Sequence, residues 1–394
     1  VKRSAAILLL RSSRAILAAL LVGASACSGQ SADRDSATLD PALCGAFPAP
    51  SGSDAEYTES AVIPVEGEPM LTMGIVALTA DSILIFDQDQ GRIVLIDAEG
   101  RTRNAISRSG KGPGEILPRG AYGRTTSKGK RADWIDADGD VIAVFDGLTV
   151  HHFSRTGALL SDVRSLATTS PGVGPAYTSK LRRHESSDYI DIEVLFAGST
   201  TIEDRVARCS YSIYRLDADS ARRLIAVDLA APPVNQRGAV FSGPQEASPR
   251  WDIWGGCALI TDGGSDYLRF VSLASGEADS VYVQDLPVPT LVESEEIRSL
   301  LGLPPGAKLP EPGARARIAQ MKVAPDGWIW VQLWQPASQR TEPTPVIRVH
   351  PASGAQVRDT VPAFPTAFLS ENEFVGVRRT EDGDEELVRV RRQQ

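Results

Sequence analysis

The sequence predicts an all-β fold: a six-bladed β-propeller of four-stranded antiparallel blades, closed by an N-terminal strand that completes the last blade. Three observations predict it. Runs such as RIVLID, YSIYRL and VIRVH alternate apolar and polar residues at the period of a half-buried strand. Such runs return in similar order about six times along the chain, the mark of a repeat architecture. The 34 glycines and 26 prolines provide the turns that many short strands require.

The first element lies outside the repeats. VKRSAAILLLRSSRAILAALLVGASACSGQ begins with Lys2, Arg3, Arg11 and Arg14, continues with an apolar stretch, and ends in small residues before Cys27. This is the layout of an export signal over residues 1–26, with an apolar core shorter than the ~20 residues that cross a bilayer. Two readings share the cleavage bond. Ala24-Ser25-Ala26 fits an ordinary signal-peptidase site. The same residues before Cys27 look like a bacterial lipobox, with Ala24 where leucine is usual, and there Cys27 would be acylated. Several acyl chains give stable anchoring where one would be marginal. The expected address is therefore the bacterial envelope, on the periplasmic face or cell surface, or outside the cell if Cys27 is not acylated. Residues 27–56 read as a polar flexible tether.

Residues 57–394 hold the repeats. DSILIFDQDQGRIVLIDAEGRTRNAISR is the first and GDVIAVFDGLTVHHFSRTGALLSDVRSL the second. DYIDIEVLFAG with CSYSIYRLDADSARRLIAVDL is the third, and GGCALITDGGSDYLRFVSLASGEADSVYV the fourth. APDGWIWVQLWQ with TPVIRVHPASGAQVRDTV is the fifth, and the tail from PTAFLS to ELVRVRR supplies three strands of a sixth. The second strands begin near Ile83, Val141, Tyr189, Ala258, Trp328 and Phe374, at intervals of 58, 48, 69, 70 and 46 residues. These intervals suit a four-stranded sheet plus variable loops. The missing fourth strand of the tail is assigned to YTESAVIPV at 57–65, because a closed ring leaves no open end to the array. One helical pattern, PTLVESEEIRSLLGL near 290–303, is placed on an inserted surface loop.

Composition narrows the function. Forty-one basic residues face 50 acidic ones, a net charge of −9, and four of the basic residues belong to the leader. A nucleic-acid binder would need a basic footprint, so that class is excluded. Beyond Cys27 there are Cys44, Cys209 and Cys257, which an oxidising compartment would allow to pair. Cys209 and Cys257 are the expected disulfide, both lying beside strand-like runs, with Cys44 left over in the tether. Their spacing is not that of zinc ligands.

SRSGKGPGE, at 107–115, has the glycines and lysine of a phosphate loop but not its order. Lys111 precedes Gly112, no Ser or Thr follows it, and Pro118 and Gly120 would break a helix there. The stretch reads as a turn between blades. Lys111, Glu115 and Arg119 are the candidate ligand contacts, because inter-blade loops border the faces of a propeller. His151 and His152 are neighbours in a strand and point to opposite faces, so they cannot share a metal. DQDQG and DADGD are turn sequences without the twelve-residue calcium pattern. Trp328, Trp330 and Trp334 fall on one face of a strand, as inter-blade packing or as a stacking surface.

The strand–turn–strand units of the first repeat resemble NHL-type propeller repeats. GKGPGE before an apolar residue is similar to a loop of bacterial six-bladed propellers of the NHL-like group, many of them secreted or lipidated. APDGWIWVQ and LVRVRR resemble the fifth blade and last strand of that group. Ile116 departs from the pattern, which usually has an aromatic residue there. The resemblance spans about 57–392 and implies architecture rather than activity. It leads to the expectation of a monomeric binding or scaffolding module for a protein, peptide or glycan, without cofactor, that meets a membrane only through its lipid anchor. The alternative is a propeller lyase or lactonase-like enzyme, with Ca²⁺ or Zn²⁺ held in the central channel.

Overall fold

A computed structural model describes most of residues 38–393. The longer stretches outside the description are 51–55, 66–73, 117–133, 165–175, 198–206, 230–246, 290–297, 299–303, 307–314 and 336–342. The chain divides into two units, residues 1–36, which lie outside the description, and residues 37–394.

The second unit is a propeller of six antiparallel blades. Blade 1 runs Ile75–Thr79, Ser82–Asp87, Arg92–Asp97 and Thr102–Ala105. Blade 2 is Ile135–Asp138, Val141–Phe145, Thr149–Ser154 and Leu159–Arg164. In blade 3 the inner strand is broken into Ala176–Tyr177 and Leu181–His184, followed by Ser187–Ala197, Ala207–Leu216 and Ala221–Leu229. Blade 4 is Arg250–Trp254, Cys257–Thr261, Tyr267–Ser272 and Ala278–Tyr282. Blade 5 is Ile318–Val323, Ile329–Leu333, Thr344–His350 and Ala355–Val361. The first strand of each blade lies innermost, where the inner strands of different blades approach one another. Core positions are the apolar faces pressed between blades. Leu84 and Phe86 of blade 1 pack with Ile142 and Val144 of blade 2, for example, all at or near zero exposure.

The ring closes as the pattern requires. Pro365–Ser370, Glu373–Arg379 and Glu385–Arg392 form three strands of blade 6, and Tyr57–Ile63 pairs antiparallel with the last as its outermost strand. Arg378 reaches from the middle strand to Glu59 Oε2 at 2.5 Å and to Glu386 Oε2 at 2.7 Å. Tyr57 packs edge-on to Trp330, and the buried Arg348 guanidinium lies over Tyr57, Trp328 and Trp330 at 5.2, 5.4 and 5.5 Å from the ring centres. Trp328 and Trp330 are 1% and 2% exposed, so they are core aromatics and not a stacking surface. Only Trp330 belongs to the strand Ile329–Leu333; Trp328 and Trp334 flank it.

Two expectations are corrected. Cys257 pairs with Cys44, not with Cys209. The two Cα atoms of the observed pair are 5.0 Å apart, within bridging range. The cause lies in the second correction: the tether ends well before residue 56. Pro41–Cys44 forms a helical turn against blade 4, with Leu39 and Cys44 buried at 2% each. Leu39 N–H donates to Pro351 O at 2.9 Å, and Gly256 N–H to Cys44 O at 3.1 Å. Phe47 stacks on Trp254, and Pro48 O meets His350 Nε2 at 2.8 Å. Gly255 has φ of +51°, and a Cβ there would stand 2.5 Å from Cys44 O, so glycine is what lets this segment lie down. The helical pattern at 290–303 falls outside the described residues except Arg298, which is helical and buried.

Candidate functional site

Charged side chains occupy one register position of the inner strands of blades 2 to 5. The residue paired with Ala143 in blade 2 is Asp136, and the residue paired with Tyr189 in blade 3 is Arg182. Asp252 pairs with Leu259 in blade 4 and Lys322 with Trp330 in blade 5. In blades 1 and 6 the same position holds Val76, opposite Leu84, and Ala367, opposite Val375. Blades 2 to 5 thus present acid, base, acid, base.

The two carboxylates are held by the same backbone device. Asp136 accepts the N–H of its own neighbour Ala137 at 3.0 Å and that of Arg183, in the next blade, at 2.8 Å. Asp252 accepts from Ile253 N–H at 3.1 Å and from Val323 N–H, again in the next blade, at 3.1 Å. Each aspartate therefore staples its blade to the following one. Such a bond satisfies an inner-strand donor that would otherwise be costly to bury.

Their charges are treated differently. Asp252, 4% exposed, receives Arg182 Nε at 2.6 Å and has Lys180 Nζ 3.6 Å away. Burial pushes its carboxyl up, but the charges of Arg182, Lys180 and Lys322 outweigh burial and hold it well below the usual carboxylate range. Lys180 also donates to Trp251 O. Among the described residues Asp136 has no such contact pair; burial dominates, and the fields of Arg182 and Lys322 only moderate it, so its carboxyl is raised. That Lys322 of blade 5 acts on Asp136 of blade 2 as well as on Asp252 puts its charge within reach of both.

This arrangement differs from a metal cage. A divalent ion needs several oxygen or nitrogen ligands turned to one point. Here the carboxylates are turned to N–H groups and cations. Among the described residues, no three His, Cys, Asp or Glu side chains gather to hold an ion.

The sequence-predicted contacts lie elsewhere. Lys111 and Arg119 are outside the described residues. Glu115 is described, and it ties the turn together: Gly112 N–H donates to its Oε2 at 2.8 Å, and Arg108 Nε lies 2.8 Å from its Oε1. A Cβ on Gly110 would stand 1.9 Å from that same Oε2, so the glycine makes room for the carboxylate. Ile116 is fully buried among core residues of blades 1 and 2. His151 and His152 do point to opposite faces of blade 2. His151 is held between Asp146 Oδ2 at 3.1 Å and Asp162 Oδ1 at 2.8 Å, while His152 meets Asp188 of blade 3. Nothing local in the sequence relates the four inner strands to one another, so the axial residues carry no signal of their own. DWIDADGD, SKLRRH, RWDIW and AQMKV carry the alternating charges at one register.

No protein family and no curated protein matches this sequence. Solved structures do match in fold. A member of the DUF4221 family from Bacteroides vulgatus superimposes with a TM-score of 0.53 at 12% identity, over 86% of this chain and 98% of that one. The likeness is one of fold. Regucalcin, a calcium-binding protein from Agrobacterium tumefaciens, gives a TM-score of 0.42 at 15% identity, over 84% and 95% of the two chains. The PQQ-bound aldose sugar dehydrogenase of Streptomyces coelicolor gives 0.38 at 12%, over 87% and 99%.

Proposed function

We propose that the chain is an exported, lipid-anchored β-propeller of the NHL-like kind that binds or scaffolds a protein, peptide or glycan through its loop-lined faces. The observation that carries this reading is the state of the axial charges. Asp136 and Asp252 are engaged in joining blades, which leaves recognition to the outer faces. One such face has a suitable cleft. About 600 Å³ of open space at the closing blade is lined by Thr58, Ser60, Asn372, Glu373, Arg391 and Gln393. Its hydroxyls, amides and charges are the groups that hold a sugar or a peptide backbone.

The export half rests on the basic-then-apolar leader ending at Cys27, and it agrees with a disulfide, which an oxidising compartment preserves. Labelling of expressing cells with radioactive palmitate tests the anchor. Label should enter the protein and vanish in Cys27→Ala; persistent label contradicts acylation at that residue. In the same cells a lysine-directed cross-linker should trap the anchored protein in a discrete heteromeric species. Protein that stays at monomer mass under all cross-linker doses contradicts the scaffolding half.

A further inference from the structure

We propose that Ser161, His152 and Asp188 form a nucleophilic acyl-transfer site on the rim between blades 2 and 3, able to cleave small acyl esters. His152 and Ser161 are cross-strand partners in the two outer strands of blade 2. His152 Nδ1 lies 2.7 Å from Ser161 Oγ, and its Nε2 lies 2.5 Å from Asp188 Oδ2 on the facing blade. His152 and Asp188 are buried, at 6% and 3% exposure, whereas Ser161 is exposed. A serine open to solvent is thus joined through a buried imidazole to a buried carboxylate, the nucleophile–base–orienter order of serine acyl transfer.

Nε2 faces an acceptor, Asp188 Oδ2 at 2.5 Å, and a donor, Arg183 NH1 at 3.2 Å, and the shorter contact to the carboxylate sets the tautomer. Asp188 is acceptor-only when ionised, so Nε2 carries the proton and donates to it. Nδ1 is then left with its lone pair toward Ser161, which donates its hydroxyl proton. Arg183 NH1 donates to the other Asp188 oxygen at 2.7 Å and sits 3.2 Å from Nε2, which keeps the carboxylate in place. A bulge lies beside the serine, where the register between the strands slips after His152. Bulges re-aim side chains at strand edges. Leu160, inside that bulge, is 54% exposed and offers an apolar patch for a short acyl group.

In the reaction Ser161 Oγ adds to the ester carbonyl carbon as His152 Nδ1 takes the hydroxyl proton. The tetrahedral adduct collapses by breaking the bond to the alcohol oxygen, which leaves with the proton from His152. A water then adds to the acyl-serine, again giving a proton to Nδ1. Collapse frees the carboxylic acid and returns that proton to Ser161. Arg183 partly neutralises Asp188 and so weakens its support for the imidazolium, which makes slow turnover the expectation.

The test is reaction of the intact protein with a fluorophosphonate probe, followed by peptide mass spectrometry, and with p-nitrophenyl acetate. Ser161 should be labelled at least about 100-fold faster than exposed Ser60 in the same sample, the scale of general-base assistance. Ser161→Ala should remove the adduct and the acetate burst while the melting temperature falls by no more than about 4 °C, the loss of one hydrogen bond to His152. His152→Gln should slow labelling by a similar factor, and Asp188→Asn should slow it too. Equal labelling of Ser161 and Ser60 in the wild-type protein overturns the proposal without reliance on any variant. So does a Ser161 rate that His152→Gln leaves unchanged.

Discussion

Asp252→Asn should cost far more stability than Asp136→Asn, although both side chains accept the same pair of N–H bonds. Asparagine keeps a carbonyl oxygen for Val323 N–H but turns an amide donor toward Arg182 Nε, now 2.6 Å from a carboxylate oxygen, and toward Lys180. Removing one partner of a buried ion pair costs about 3–5 kcal/mol, because the other charge is left uncompensated. An unfolding entropy of about 2.1 cal/mol/K per residue gives roughly 0.7 kcal/mol/K for a body of this size, so the melting temperature should fall by about 4–7 °C. Asp136 is raised by burial and, among the described residues, has no cation in contact, so its asparagine variant should melt within about 2 °C of wild type at neutral pH. The pH dependences should also differ. A lowered carboxyl contributes above the ordinary carboxylate range and loses that contribution only when pH falls through its folded value. The Asp252 advantage should therefore be constant from pH 5 to 8. A raised carboxyl behaves in the opposite sense: its contribution is present below the ordinary range and is lost as pH rises through the folded value, so Asp136→Asn should gain on wild type with rising pH. Scanning calorimetry of the two variants across pH decides this. Equal losses from both, or an Asp252→Asn midpoint within about 1 °C of wild type, would refute the account of the axis.

Further outcomes follow from the two corrected or newly seen elements. Cys44→Ser opens a link that spans 213 residues, for which loop-closure entropy sets an upper figure of about 5 kcal/mol, and the midpoint should fall by several degrees. Reductant should give the same fall in wild type; a midpoint for Cys44→Ser equal to wild type would contradict the clamp. For His151, burial lowers the pKa, but the hydrogen bonds to Asp146 and Asp162 outweigh it and the net shift is upward. Its contribution is then full below the usual histidine range and is lost as pH rises through the raised folded value. The gap in melting temperature between wild type and His151→Gln should accordingly be larger at pH 6 than at pH 9.

The architecture was legible because propeller strands announce themselves twice, by alternation along each strand and by recurrence of the whole unit. Val141 opens a second strand as expected, and Tyr57–Ile63 occupies the place that a three-stranded tail left vacant. The disulfide was not legible. Cys44 lies among Pro, Ala and Gly in a stretch with no strand or helix period, and its order comes from long-range contacts with blade 4. Local pattern carries no trace of contacts made across more than two hundred residues. The axial charges were hidden for a related reason. In isolation Asp136 looks like one more turn aspartate in DADGD, and Lys322 like a surface lysine. Only ring closure, which brings four inner strands to one axis, turns them into a set. The His152–Ser161 pair was half visible: alternation put His151 and His152 on opposite faces, but Asp188 comes from the next blade.

The central claim is that the charged axis holds the blades together and leaves binding to the faces. Calorimetric titration of the purified, chelator-treated protein with Ca²⁺ and with Zn²⁺ tests it most directly. The account predicts no stoichiometric heat and no rise in melting temperature with either ion. One ion bound per chain, with binding abolished by Asp136→Asn or Asp252→Asn, would contradict it and favour a metal-dependent enzyme.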